Sequence, residues 1–63
     1  MKRSEIKEGK TYYRTDRRNG KKVLRHVDRI YNSFDGIRIR YNGEYFDKSL
    51  SSFAHWAEGI VEE

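Results

Sequence analysis

Seven basic side chains and one acidic one fall between Lys10 and Arg25. Lys10, Arg14, Arg17, Arg18, Lys21, Lys22 and Arg25 stand against Asp16 alone, a net charge of +6. Cations at this density do anion chemistry: they hold phosphates or carboxylates. Asn19-Gly20 lies in the middle of the stretch, and Asn-Gly is the strongest short hairpin signal, because a type I′ turn needs positive φ at both central residues. The spacing therefore predicts a β-hairpin with cations on both arms. With Asn19-Gly20 as a two-residue loop, Arg14 faces Arg25 and Arg17 faces Lys22, and like charges directly opposite one another destabilise a hairpin. Unpaired cations in so small a domain point to an anionic partner, although long side chains can also splay apart in water.

Aromatic residues interleave with these cations: Tyr12-Tyr13-Arg14, Arg25-His26, Arg38, Arg40-Tyr41 and Tyr45. Cations for phosphates and flat rings for bases are the two requirements of nucleic-acid binding. Arg14, Arg17, Arg18, Lys21, Lys22 and Arg25 are expected to engage the phosphates of DNA or RNA. Arg38 and Arg40 extend the path along a third strand unless Asp47 and Tyr45 occupy them. Tyr13 and Tyr45, if outward, would stack on bases, whereas Tyr12 and Tyr41 are expected in the core. The rival reading is a small regulator or inhibitor that docks on an acidic protein surface, since Arg and Tyr are hot-spot residues there too. A basic surface that only keeps a small protein solvated is the plain alternative.

Catalysis and metal binding have weak support. His26 and His55 are the only plausible general bases apart from carboxylates. Asp28, two residues from His26, would share its face in a strand and could orient the imidazole. No nucleophile is tied to either histidine by spacing, and no glycine-rich phosphate loop is present. Two separated histidines with scattered carboxylates do not make a structural zinc pattern. No enzymatic activity, metal or small-molecule cofactor is expected. Trp56 could serve as a stacking platform, but its apolar neighbours mark it as a core residue whose indole N–H needs a partner near the surface.

The elements that must position these side chains follow from composition and turn chemistry. The chain has 63 residues and no cysteine, near the lower limit for a domain that folds without disulfides, metal or a partner. A single domain in a reducing cytoplasm is expected. No apolar run approaches membrane-spanning length, and the start Met1-Lys2-Arg3-Ser4-Glu5 lacks the apolar stretch of a signal peptide. Charged residues reach 38%, which alone would hint at disorder, but nine aromatic residues favour a compact fold. Residues 1–40 carry +8 and residues 41–63 carry −4, a polarity that steers an anionic partner to one side.

Residues 1–9 read as a lead-in that docks by Ile6 and turns at Gly9. Residues 10–48 read as a four-strand meander divided by three Asx-Gly dipeptides, Asn19-Gly20, Asp35-Gly36 and Asn42-Gly43. Its strands are Thr11-Tyr12-Tyr13-Arg14-Thr15, then Lys22 to Tyr31, then the strictly alternating Ile37-Arg38-Ile39-Arg40-Tyr41, then Glu44 to Lys48. Val23, Leu24, Val27, Ile30, Tyr31 and Phe34 also fall at helical spacing, so residues 21–34 are either an amphipathic helix or a bent strand. The flanking turns favour a strand with a bulge. With Asn42-Gly43 as a two-residue loop, Ile39 faces Phe46, Arg40 faces Tyr45 and Arg38 faces Asp47. Residues 49–59 read as a helix capped by Ser49, with Leu50, Phe53, Trp56 and Ala57 on one face and Gly59 as a left-handed stop. Residues 60–63 are the end, where Ile60 returns to the last helical turn and Val61 adds a short final strand.

The segments Ile6-Lys7-Glu8-Gly9-Lys10-Thr11-Tyr12 and Ser49-Leu50-Ser51-Ser52-Phe53-Ala54-His55-Trp56-Ala57, with the meander between them, resemble small uncharacterised phage and bacterial proteins. The outline resembles a small SH3-like or Tudor-like barrel: mainly β, with four or five antiparallel strands and a short C-terminal helix. The resemblance implies a fold that binds peptides, RNA, DNA or modified side chains, and gives Gly9, Phe53 and Trp56 a structural role. Lys22-Val23-Leu24-Arg25-His26-Val27 lacks the central glycine of KOW-type modules. The acidic, Trp-paired loop of proline-peptide binders is also missing.

Overall fold

The computed structural model describes residues 1–61. It is a mainly β fold built on one antiparallel sheet. Five strands follow in the chain: β1 Thr11–Thr15, β2 Lys22–Ser33, β3 Gly36–Tyr41, β4 Phe46–Ser49 and β5 Gly59–Ile60. A short helix, α1 Leu50–Trp56, lies between the last two, and a single 3-10 turn at Arg3–Glu5 precedes β1. The order across the sheet is β4-β3-β2-β1-β5.

The segment that could have been a helix is the long strand β2. Its first half, Lys22–His26, pairs with β1, and Val27–Ser33 pairs with β3. The register shifts between Val27 and Arg29, so Asp28 is the bulged residue. A bulge adds one residue to one side of a ladder and bends the strand. It re-aims the apolar face, bringing Val27 and Ile30 to the same side opposite Tyr41 and Ile39. Glu8 holds this point from the lead-in, its Oε1 accepting the Ile30 N–H at 2.7 Å. The strand also runs to Ser33, two residues beyond the expected Tyr31, leaving Phe34-Asp35 as the turn.

Both Asn-Gly hairpins adopt registers two residues from those expected. In the first, Tyr12 pairs with Arg25, Arg14 with Val23 and Thr15 with Lys22, so the expected Arg14–Arg25 and Arg17–Lys22 pairs do not form. The loop opens before Asn19: Lys21 O accepts the Asp16 N–H, and Asp16 O accepts the Gly20 N–H. Only Gly20 is left-handed here (φ 70°), so a type I′ turn is excluded. The Asp16 and Asn19 side chains accept the N–H groups of Arg18 and Lys21, each at 2.9 Å, and hold the wider loop.

In the second hairpin Tyr41 pairs with Phe46, Arg40 with Asp47 and Ile39 with Lys48. Asn42, Gly43 and Glu44 all have positive φ. One carboxylate explains the extra residues: Asp28 Oδ2 accepts the N–H groups of Gly43 (2.6 Å) and Glu44 (2.9 Å). Phe46 therefore stacks on Tyr41, with ring centres 5.5 Å apart, instead of facing Ile39.

Ser49 caps α1 as expected, its Oγ accepting the Ser52 N–H at 3.1 Å. The helix ends at Trp56 on an extended Ala57 (φ −70°, ψ 127°), and Gly59 is not a left-handed stop. Gly59 instead pairs with Tyr13 in β5, where an added Cβ would come within 2.7–2.8 Å of the Tyr13 ring end. Close approach requires glycine there. The Val61 N–H continues the pairing to Thr11 O at 2.8 Å, next to the final strand.

Ile6, Tyr12, Val27, Ile39, Tyr41, Phe53, Ala54 and Ala57 form the core. Phe53 is its hub, edge-on to Tyr12 (5.7 Å) and Tyr41 (5.5 Å). The buried Tyr12 hydroxyl donates to Glu5 O (2.9 Å) and accepts the Lys7 N–H (2.7 Å), which ties the lead-in to the sheet. Helix α1 packs on β3, β4 and the 3-10 turn. The sheet stays open: β4 and β5 are its two edges and do not pair with each other, so the expected barrel is not closed. Among the described residues, no helix is long and apolar enough to cross a membrane.

Candidate functional site

The inner face of the sheet changes character along its length. Around α1 it is apolar, with Tyr12, Val27, Ile39 and Tyr41 buried. Toward the β1–β2 loop the same face continues as Arg25, Val23 and Arg14, because alternate residues of a strand share one side. Helix α1 stops at Trp56, at the boundary between the two regions.

A groove of about 420 Å³ opens at this boundary. Arg14, Arg17 and Arg18 line it together with Asp16, and Val23 and Trp56 supply its apolar surface. Trp56 is half-buried and packs on Phe53 at 5.6 Å between ring centres. The expected core role is therefore only one side of this residue; the other belongs to the groove. The Asp16 carboxylate is engaged by the Arg18 N–H, which holds it in the loop.

Arg25 connects the groove to the core. Its guanidinium carbon lies 4.0 Å from the centre of the Trp56 ring and 4.9 Å from that of Tyr41. Both distances are within the range of a cation–π contact. Its Nη1 is shielded from solvent and has no hydrogen-bond partner. A buried unpaired donor costs free energy and calls for a specific reason. On the far side of Arg25 a second, smaller groove of about 200 Å³ is lined by Val23, Leu24, Arg25, Tyr41, Asn42 and Phe46. Phe46 is 54% exposed there, with its ring stacked on Tyr41.

The other candidate residues are dispersed. Lys21 is exposed in the loop. Lys22 turns to the outer face, its Nζ 4.5 Å from the centre of the half-buried Tyr13 ring. Tyr45 is 87% exposed in the β3–β4 loop and does not meet Arg40 as expected. Arg38 and Arg40 lie on the outer face with Tyr31 and Asp47. Arg38 Nε is 2.5 Å from Asp47 Oδ1, and Arg40 Nε is 3.7 Å from Asp47 Oδ2. The Tyr31 hydroxyl donates to the same carboxylate. Arg40 also covers the Tyr31 ring at 5.4 Å.

These contacts hold the Asp47 carboxyl below its ordinary pKa, chiefly through the Tyr31 hydrogen bond and then through Arg38. The Arg38 guanidinium is pushed up, first by its hydrogen bond to Asp47. The Arg40 guanidinium is also pushed up, first by Tyr31. Among the described residues the remaining ion pair is Arg29–Glu44 (3.6 Å), and none involves residues 11–26, β1 with its loop and the part of β2 paired to it. The molecule thus carries two sets of arginines. Those on the outer face are in ion pairs; those around the groove are in none among the described residues.

The expected His26–Asp28 arrangement does not form. Asp28 is committed to the loop amides of Gly43 and Glu44. His26 Nδ1 is 2.9 Å from Thr11 Oγ1. His55 is on the exposed side of α1, away from His26. Among the described residues no three His, Cys, Asp or Glu side chains gather as a metal site.

Phe46 is not singled out for binding by the sequence, and Trp56 is weighed there as a stacking platform but assigned to the core. Trp56 falls in the apolar helical pattern and reads as core, and Phe46 reads as the partner of Ile39. The available signal was position: Trp56 lies near the end of the apolar helical stripe, and the helix itself ends there. Comparison with known protein families, curated proteins and solved structures finds no match for this chain.

Proposed function

We propose that this protein is a non-enzymatic binding module that contacts nucleic acid through the basic β1–β2 hairpin. One observation carries the reading. Arg14, Arg17 and Arg18 converge on a groove with an aromatic floor, and no carboxylate forms an ion pair with them among the described residues. Phosphates supply the missing anions, and release of the counterions condensed on the nucleic acid drives association. The SH3-like character of the fold and its kinship with small phage and bacterial proteins belong to the same reading. Five antiparallel strands with a short helix before the last one support the first of these. The reading keeps the cytoplasm as the compartment.

A protein partner with an acidic surface is the second reading. It is favoured by Val23 and Leu24, which are 43% and 51% exposed beside the cations. Arginine next to apolar side chains is also the composition of an interface hot spot. Fluorescence anisotropy with short labelled nucleic acids across a salt series separates the two. Binding whose log affinity falls linearly with log salt supports the first reading; no binding even at low salt refutes it.

A further inference from the structure

We infer that the hairpin groove is a single-strand site, in which one base stacks in the Trp56 groove while Arg14, Arg17 and Arg18 hold the adjoining phosphates. This rests on the nucleic-acid reading above and names the form of its ligand, a single strand of either DNA or RNA.

Three observations lead there. The groove at Trp56 joins an apolar part, Val23 and Trp56, to three arginines and the Asp16 carboxylate, which the Arg18 N–H engages. The net charge and the flat apolar surface match a nucleotide unit of base and phosphate. Duplex DNA hides its base faces within its own stack and offers such a groove only backbone, so the aromatic floor would go unused. Next, the smaller groove shares Val23 with the first, and its Arg25 lies against Trp56 of the first. Its exposed ring, Phe46, is backed by Tyr41, so a second platform lies along the same face. Two aromatic platforms flanking one arginine suit consecutive bases of an extended strand.

Arg25 is the positioning residue between them. Its guanidinium lies against Trp56 and Tyr41, and its Nη1 has no acceptor. Stacking fixes the cation between the platforms without closing either groove. A phosphate joining the two bases passes beside this cation, and a small displacement of Arg25 gives Nη1 the acceptor it lacks.

The test varies the ligand, so no variant needs to fold. Trp56 is the only tryptophan in the chain, and its emission reports on the groove directly. The probes are oligo(dT), oligo(U), an abasic phosphodiester strand of equal length and a duplex of equal length, read by anisotropy and by Trp56 emission. The expected result is binding of oligo(dT), oligo(U) or both, with a change in emission. The abasic strand should bind at least about 5-fold more weakly, the smallest loss that corresponds to stacking of one base, and should leave the emission unchanged. The relative affinities of oligo(dT) and oligo(U) assign the site to DNA or RNA. Abasic or duplex binding equal to that of the strands, with the same change in emission, overturns the single-strand inference and leaves the nucleic-acid reading standing. Failure of all four probes to bind at low salt overturns both.

Discussion

Replacing Arg14, Arg17 and Arg18 together with glutamine removes three cations from the groove and leaves shorter, neutral polar side chains. All three are exposed or line the open groove, and none is in an ion pair among the described residues. The fold should therefore be unchanged, as checked by circular dichroism and urea unfolding. Each phosphate contact on a single strand contributes about 0.7 to the slope of log affinity against log salt. Loss of three contacts should lower the slope by about 2, and the affinity at 0.1 M salt by about two orders of magnitude. The control is the pair Arg38→Gln and Arg40→Gln, which removes two cations that already share Asp47. Its slope should stay within about 0.5 of the parent protein, less than one phosphate contact. Anisotropy at five or six salt concentrations measures both. An equal fall in slope for the two variants would refute the reasoning, because binding would then follow total charge and not the unpaired set.

Two further outcomes concern the frame that holds the site. Tyr12→Phe leaves Glu5 O and the Lys7 N–H without their partner beneath the lead-in, and should destabilise the fold by about 1–3 kcal/mol in urea unfolding; a loss below ~0.5 kcal/mol would mean that water replaces the hydroxyl. Asp47 has a folded pKa below the ordinary 3.8, so as pH falls the unfolded chain takes up this proton first. Its contribution is complete above about pH 4 and is lost as the pH drops toward the folded value. Urea midpoints of the parent protein should therefore fall more steeply below pH 4 than those of Asp47→Asn, and parallel profiles would contradict the assignment.

Local chemistry made much of the frame legible. Ser49 before an apolar stripe marks a helix start, and the alternation of Ile37 to Tyr41 marks a half-buried strand. The flanking turns favoured a bent strand over a helix across residues 21–34, and β2 takes that form. Pairing partners were not legible, because loop length is set by contacts remote in sequence. Asp28 reaches across to Gly43 and Glu44, and this adds two residues to the β3–β4 loop. Asp16 does the same for the first hairpin, from inside the loop. A slip of two residues preserves which side each residue faces, whereas a slip of one would invert it. Faces could therefore be read correctly while partners could not. The Arg38–Asp47 ion pair survives the shift as a diagonal contact, and the Arg40–Tyr45 pair does not.

The same reasoning explains why the site lies where it does. A five-strand sheet with a seven-residue helix has too little helix to cover its whole inner face. Phe53 and Ala54 cover the part near β3 and β4, and cover ends at Trp56. Beyond that point the half-exposed Val23 already leaves some apolar surface in water, and an ordinary polar residue at position 25 would leave the edge of Trp56 bare as well. Arginine meets both conditions: its stem and flat guanidinium cover apolar rings while the charge remains. Arg25 closes the core in this way, and Arg14 continues the face as open cationic surface. The edge of the core and the wall of the groove are thus the same residues. A substitution at Arg25 therefore acts on stability and on binding together, whereas Arg17 and Arg18, out on the loop, act on binding alone.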